Sequence, residues 1–330
     1  MSIQIDHTNN TITGTSSVTL QPANTFGYKN RIINGSMNVQ QRGGTAVTYN
    51  FAVPTTTASP SASIGYGLDR WFVIPSGAAV TMNPVLNANA YPHLYTQQIT
   101  GSAANTGILL GQRIEQQNSY DLAGNTATLS FWMANSLLTT ANWTVSYANT
   151  ADAFGTIAGT APSPTKTQIA TGSVSISSTW TKYTVQINIP AAATTGIEIL
   201  FSVGGQTSGT WKVTGVQLEK GAIATDFDIR PIQTELLMCM RYFEVLTYPS
   251  WTWSGYSGTA GSANNYGSIP FKVRKRVTPT TNGSFSAGNV SAGSFINSSV
   301  DGTALQITNT NAGSWYIYNN NTSFSFSSEL

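Results

Sequence analysis

Apolar and polar residues alternate with period two along much of this chain, and that alternation predicts strands. Ala127, Leu129, Phe131 and Met133 are separated by Thr128, Ser130 and Trp132. Trp143, Val145 and Tyr147 line one side of the next run. Tyr183, Val185, Ile187 and Ile189 then alternate with Thr184, Gln186 and Asn188, and Ile197, Ile199, Phe201 and Val203 repeat the pattern. Successive side chains of a strand point to opposite faces, so each run puts one side in a core and the other toward solvent or a second layer. Two antiparallel sheets packed face to face bury all of these runs at once. The expected class is all-β.

The pattern changes along the chain and divides it. Residues 1–27 carry only Ile3, Ile5, Ile12, Val18 and Leu20 among Asn, Gly and Ser, too few to bury a core, and read as an extended β-arm that leans on a neighbour. Short strand patterns between turn residues over 28–232 have the spacing of a sandwich. Residues 233–246 read as a helical junction: in TELLMCMRYFEVL, Leu236, Met240 and Phe243 recur at helical spacing and Thr234 is placed to cap the start. Residues 247–330 form a further β unit dense in Ser, Gly, Asn and aromatics.

Composition sharpens this picture. Charged residues make up 8% of the chain, against about 25% in an average soluble domain. Exposed helix faces are built from Glu, Lys and Arg, so helix-rich folds are disfavoured, and 40% hydrophobic residues argue against disorder. The scarcity is uneven. Eight charged residues fall between 219 and 244, Lys272, Arg274, Lys275 and Arg276 form the one basic run, and beyond it only Asp301 and Glu329 follow. A net charge of +2 without a wide basic patch disfavours nucleic acid. No apolar run reaches the length of a membrane span, and no secretion signal is expected. Cys239 is the single cysteine, so neither a disulfide framework nor a cysteine-based zinc site is expected.

Catalysis finds little support in these residues. The two histidines, His7 and His93, stand beside no recognisable nucleophile motif. Five of the thirteen acids fall between 219 and 244 among three bases, where ion pairing explains them more simply than a glycosidase carboxylate pair does. Asp226 and Asp228 are too few for a calcium site, and no metal or cofactor is expected.

Glycan binding is the stronger reading, because sugars lay apolar faces on aromatic rings and need no net charge. TYPSWTWSGYSGTAGSANNYG supplies Tyr248, Trp251, Trp253, Tyr256 and Tyr266, with Trp251 and Trp253 on one face of a strand. Large aromatics also dominate cores and interfaces, so the same residues read equally as a small-domain core or a subunit contact. On a strand, Lys272, Arg274 and Arg276 would share one face, either solvated or facing phosphates or an acidic neighbour.

Several segments together resemble bacteriophage tail-fibre and virion-surface proteins that contain a carbohydrate-binding-module-like jelly roll. They are NRIINGSMNVQQRG (30–43), YGLDRWFV (66–73), LLGQRIE with LAGNTATLSFW (109–132), STWTKYTVQINIP (178–190) and VTGVQLEKGAIATDFDIRPIQTELLMCMRYFE (213–244). The chain departs from the last motif at Asp226, where proline more often precedes the aromatic. Within these motifs the Asp69, Arg70, Trp71 group reads as an Arg–carboxylate pair fixing the start of a strand above a core tryptophan, and Arg113 and Glu115 as sharing one strand face, in a ladder with each other or with a cross-strand partner.

The resemblance implies a jelly-roll β-sandwich in a homotrimeric virion protein, a tail fibre or receptor-binding subunit that contacts host surface polysaccharide without catalysis. In that setting residues 1–27 attach to other virion proteins, and the chain is made in the host cytoplasm without a signal peptide. The alternative is a capsid decoration or cement protein, or a fibre adaptor, acting only through protein contacts.

Overall fold

The structure is a computed structural model that describes residues 4–6, 11–13, 17–19, 28–42, 56–58, 65–86, 93–155, 165–246, 252–257, 264–283, 286–318 and 324–330. Ile3, His7, Leu20, Tyr248 and Trp251, named above, lie outside these residues.

The body is a sandwich of two six-stranded antiparallel sheets. In spatial order the first contains Thr181–Asn188, Thr126–Asn135, Thr210–Lys220, Tyr95–Thr100, Val80–Leu86 and Thr56–Ala58. The second contains Lys166–Ser175, Thr140–Ala148, Ile197–Val203, Gly107–Ile114, Phe72–Ser76 and Gly65–Tyr66. The chain crosses repeatedly between the sheets, each crossing placing a strand over the sheet it has just left. This winding gives the jelly roll.

The period-two residues meet in the middle. Leu129, Phe131, Met133, Val145, Ile199 and Phe201 are each 0% exposed, and Trp71 and Trp211 fill the layer beside them. Burying a large apolar side chain contributes roughly 1.5–3 kcal/mol, so these runs supply the driving force that the scarce charges do not. Trp71 also donates Nε1–H to Asn34 O at 2.9 Å, which satisfies its one polar atom.

The junction differs from its expected form. The helix runs Ile232–Met240 with Pro231 at its N-cap, not from Thr234, and Phe243–Leu246 is a strand. Proline fits a helix start because its fixed φ suits the first turn and its missing N–H is not needed there. The helix ends because Phe243–Leu246 is taken up by a distant partner, Phe324–Ser327, which pairs antiparallel with it and then with Thr280–Asn282. All four residues of Phe243–Leu246 are buried, a requirement on every side that helical spacing does not reveal.

Two further three-stranded sheets complete the C-terminal part. One orders Thr252–Ser257, Gly313–Tyr318 and Ser286–Gly288, and the other orders Asn264–Pro270, Gly302–Asn309 and Val290–Ile296. Leu305, Ile307, Ile317, Phe324 and Phe326 pack between the sheets. At the other end of the chain Gln4–Asp6, Thr11–Thr13 and Ser17–Thr19 form an antiparallel meander.

Buried charge holds the parts together. Glu329, in the segment after the last strand, pairs with Arg70 and, at 2.7 Å, with Arg42. Arg70 lies over the Tyr242 ring and Arg42 over Phe243, at 3.5 and 3.6 Å from the ring centres. The partner of Arg70 is therefore Glu329, brought from the far end of the chain, and not its neighbour Asp69. Arg113 pairs across the sheet with Glu198 at 2.7 Å, which also holds Lys166 at 2.6 Å, while Glu115 pairs with Arg241.

Candidate functional site

The site begins with a strand whose inward residues are spoken for. In Thr126–Asn135 the core takes Leu129, Phe131 and Met133, leaving Ser130 and Trp132 on the outer face of the first sheet. Trp132 is half-buried and stands opposite Lys182 on one neighbouring strand and Thr214 on the other. The register shifts between Ser130 and Trp132, so two residues, Gly215 and Val216, face Phe131. Gly215 adopts φ +60°, the left-handed conformation of a glycine bulge.

The bulge makes room for a histidine. A Cβ on Gly215 would collide with the His93 ring, so glycine is required by space as well as by φ. His93 is 2% exposed, with Nδ1 3.0 Å from Ser36 Oγ and its ring edge-on to Phe227 at 4.5 Å between centres. Burial, helped by the charge of Lys182, lowers its pKa to about 4, so it is uncharged at neutral pH.

These groups border a cavity of about 400 Å³ whose walls include Trp132, His93, Ser130, Lys182, Asp226 and Phe227. Lys182 and Asp226 are both exposed, and neither side chain has an ion-pair or hydrogen-bond partner among the described residues. A second cavity of about 230 Å³ shares Phe227 and Ile229 with the first. Its charges are already committed: Arg230 pairs with Glu235 at 3.3 Å and Asp228 at 3.5 Å, and donates to Ile32 O at 3.1 Å. The first cavity therefore offers the Trp132 indole beside the Phe227 and His93 rings, with one hydroxyl, one ammonium and one carboxylate, while the second is a structural knot. No three His, Cys, Asp or Glu side chains gather at one point among the described residues.

The aromatics picked out in sequence go elsewhere. Trp253 lies in the strand Thr252–Ser257, in register with buried Ile317. Tyr256 is 75% exposed and Tyr266 64% exposed, but they belong to different three-stranded sheets and do not form one group by strand pairing.

The basic run is not a strand. Lys275 is buried against Glu244 at 2.5 Å, and Arg276 donates to the carbonyls of Ser328 and Glu329 at 2.9 Å. Only Lys272 and Arg274 are exposed, and Arg274 has Asp301 at 3.9 Å. The shared cationic face expected of Lys272, Arg274 and Arg276 does not form, because carbonyls and a carboxylate of the C-terminal unit draw its members apart.

Trp132, Lys182 and Phe227 were not picked out as site residues. A signal existed for one of them. In TATLSFWMA the tryptophan falls on the solvent phase of the alternation, where a large aromatic has no core to fill.

No family model matches the chain, and no curated protein matches it. Among solved structures it is similar to the enzymatically active domain of bacteriophage CBA120 tailspike protein 4, at 15% identity and TM-score 0.35 over 59% of this chain and 22% of that one. TmCBM61, solved in complex with β-1,4-galactotriose, is similar at 16% identity and TM-score 0.31, over 46% of this chain and 88% of the other. The CBM22-1 xylan-binding domain from Paenibacillus barcinonensis Xyn10C is similar at 12% identity and TM-score 0.30, over 51% and 95% respectively. The chain thus spans about a fifth of the length of the tailspike domain.

Proposed function

We propose that this chain is a non-catalytic bacteriophage virion protein, a tail fibre or receptor-binding subunit of a homotrimer, that holds a host surface glycan in the cleft over Trp132. The observation that carries the glycan reading is the row formed by Lys182, Trp132 and the Gly215 bulge, with Asp226 across the cavity. A pyranose ring presents an apolar face to an indole and hydroxyls at its rim. Asp226 accepts from such hydroxyls, and Lys182 and Ser130 donate to ring or hydroxyl oxygens. The virion setting rests on the sequence motifs quoted above.

Absence of catalysis is supported by the same chemistry. Hydrolysis of a glycosidic bond uses two carboxyl groups flanking it. Among the described residues Asp226 is the one acid bordering the larger cavity, and Asp228 and Glu235 beside it are engaged by Arg230. His93, uncharged and tied to Ser36, is a weak base at neutral pH.

A second reading, a decoration, cement or adaptor protein acting through protein contacts, draws on a different observation. Ile223, Ile229, Ile232 and Leu237 are 67, 69, 39 and 47% exposed within one short stretch, and exposed apolar patches mark interaction surfaces.

The two readings separate by adsorption. Purified protein is expected to bind host cells and to lose binding once surface polysaccharide is stripped. Trp132→Ala is expected to weaken adsorption at least about tenfold, the loss of about 1.4 kcal/mol, with the oligomer unchanged. Equal binding to stripped cells, or undiminished binding by the variant, defeats the glycan reading. Release of shorter sugars on incubation would refute the non-catalytic assignment.

A further inference from the structure

A glycine placed directly across from an aromatic recurs in this fold. Gly172 lies under Trp143 and Gly255 under Trp315, each the residue opposite in the neighbouring strand. In both places a Cβ on the glycine would press into the indole, so the ring is laid flat across the glycine's backbone. Trp143 and Trp315 are each 9% exposed, and the rings are covered by core.

The third instance points the other way. Gly288 is opposite Tyr316, and a Cβ there would collide with Cζ, Cε1 and Oη of the tyrosine. Tyr316 is nonetheless 46% exposed, because it alternates with the buried residues Trp315 and Ile317 and lies on the outer face of its sheet. One face of the ring rests on Gly288, and the side chain is partly exposed on the outer face of the sheet.

Covering an edge glycine accounts for the pose of Tyr316 but not for its neighbour. Tyr256, 75% exposed, is opposite Ser314 and therefore diagonal to Tyr316 on the same outer face. Diagonal neighbours in an antiparallel pair are about 7–8 Å apart, within reach of aromatic side chains. Tyr256 is opposite a serine, not a glycine, and makes no hydrogen bond to another described residue. Ser254 and Ser314, both exposed, stand beside the pair on the same face. No Lys, Arg, Asp or Glu occurs in any of the three strands of this sheet.

We propose that Tyr316 and Tyr256 form a second carbohydrate contact, a flat platform for the apolar face of a neutral pyranose. The occupant follows from the chemistry. A charged sugar finds no counter-charge on this sheet, a flat apolar ring face matches the ring laid on Gly288, and the serine hydroxyls serve the sugar's own hydroxyls. This site is separate from the cleft over Trp132 and stands or falls without it. With both present, one chain grips a polysaccharide at two points, and the second contact benefits from the effective concentration set by the first.

The test uses the full chain with Trp132→Ala, which silences the cleft, and methyl glucoside, galactoside and mannoside as probes. Saturation-transfer NMR reports contact, and calorimetric titration gives affinity. At least one probe is expected to bind the Trp132→Ala protein. Adding Tyr256→Ala or Tyr316→Ala is expected to weaken that binding roughly threefold to tenfold, as loss of an aromatic contact does. Gly288→Val, which keeps Tyr316 but lifts its ring from the sheet, is expected to weaken it similarly, with circular dichroism unchanged.

Binding of no probe by the Trp132→Ala protein overturns the platform and leaves the cleft standing. Undiminished binding by the tyrosine variants does the same. A change of oligomeric state in Tyr256→Ala, whose side chain is largely exposed, would overturn the proposal and assign this face to contact between copies of the chain. If Trp132→Ala binds host cells as the parent does while the tyrosine variants do not, the cleft reading fails and the platform stands.

Discussion

Single residues here carry their meaning through what surrounds them, and two titrating groups make this measurable. Asp69 is fully buried, accepting from Gln41 N–H at 2.7 Å with Arg42 3.9 Å away. Burial raises its pKa from 3.8 to about 7 despite those partners. Between these values the folded chain keeps a proton that the unfolded chain releases. The stability contributed by this group is full below about pH 3.8 and is lost as pH rises to about 7, a change of at most about 4 kcal/mol. His93 acts with the opposite sign. Its folded pKa of about 4 lies below the ordinary imidazole value of 6.5, so its contribution is present above pH 6.5 and lost as pH falls through 4. Urea unfolding across pH 4–8 separates the two. Asp69→Asn should remove the decline toward pH 7, and His93→Gln should remove the decline toward pH 4. A parent profile unchanged by Asp69→Asn would show that this carboxyl titrates normally.

At the scale of elements, the strands were legible and their irregularities were not. Period-two alternation located Thr126–Asn135, Thr140–Ala148, Thr181–Asn188 and Ile197–Val203, because the pleat ties face to residue parity wherever one side is buried. The same rule misread 271–276, whose residues do not alternate against any partner strand. It could not reveal the bulge at Gly215, since a bulge is a mismatch between two strands far apart in sequence. That bulge positions His93, and the cleft depends on it. Gly215→Ala is expected to cost about 1–2 kcal/mol for the left-handed backbone, with a further loss as the new methyl displaces the imidazole. Chemical denaturation and the His93 ring resonances check this, and an undisturbed imidazole would remove the bulge from the account of the site. The junction shows the complementary failure. Phe243 fits a helical face, yet Phe243–Leu246 becomes a strand because Phe324–Ser327 arrives beside it.

For the whole molecule, the scarce charges serve as fastenings. Arg42, Arg70 and Arg113 converge on Glu329 and Leu330, joining the sandwich to the C-terminal part, while Arg276 anchors the same segment within that part. Removing one partner of a buried pair leaves an uncompensated charge, at a cost of about 3–5 kcal/mol. Glu329→Ala should therefore lower stability by that order, and calorimetry should show the C-terminal part melting ahead of the sandwich. An unchanged melting profile would show that the apolar contacts suffice. The sequence by itself determined the β class, the layered core and the poverty of charge, because alternation and composition are local properties that no choice of partner can alter. It also placed a tryptophan on the solvent phase of a strand. Only the tertiary structure decided which charges are consumed and which stay available. Arg276 and Glu329 look as free in sequence as Lys182 and Asp226, yet the first two are bound and the last two face a cavity. The physical reason is that parity fixes a residue's face, whereas its neighbours depend on strand order and register. Those are set by the closure of segments as far apart as Arg42 and Glu329, a long-range choice that a period of two leaves undetermined.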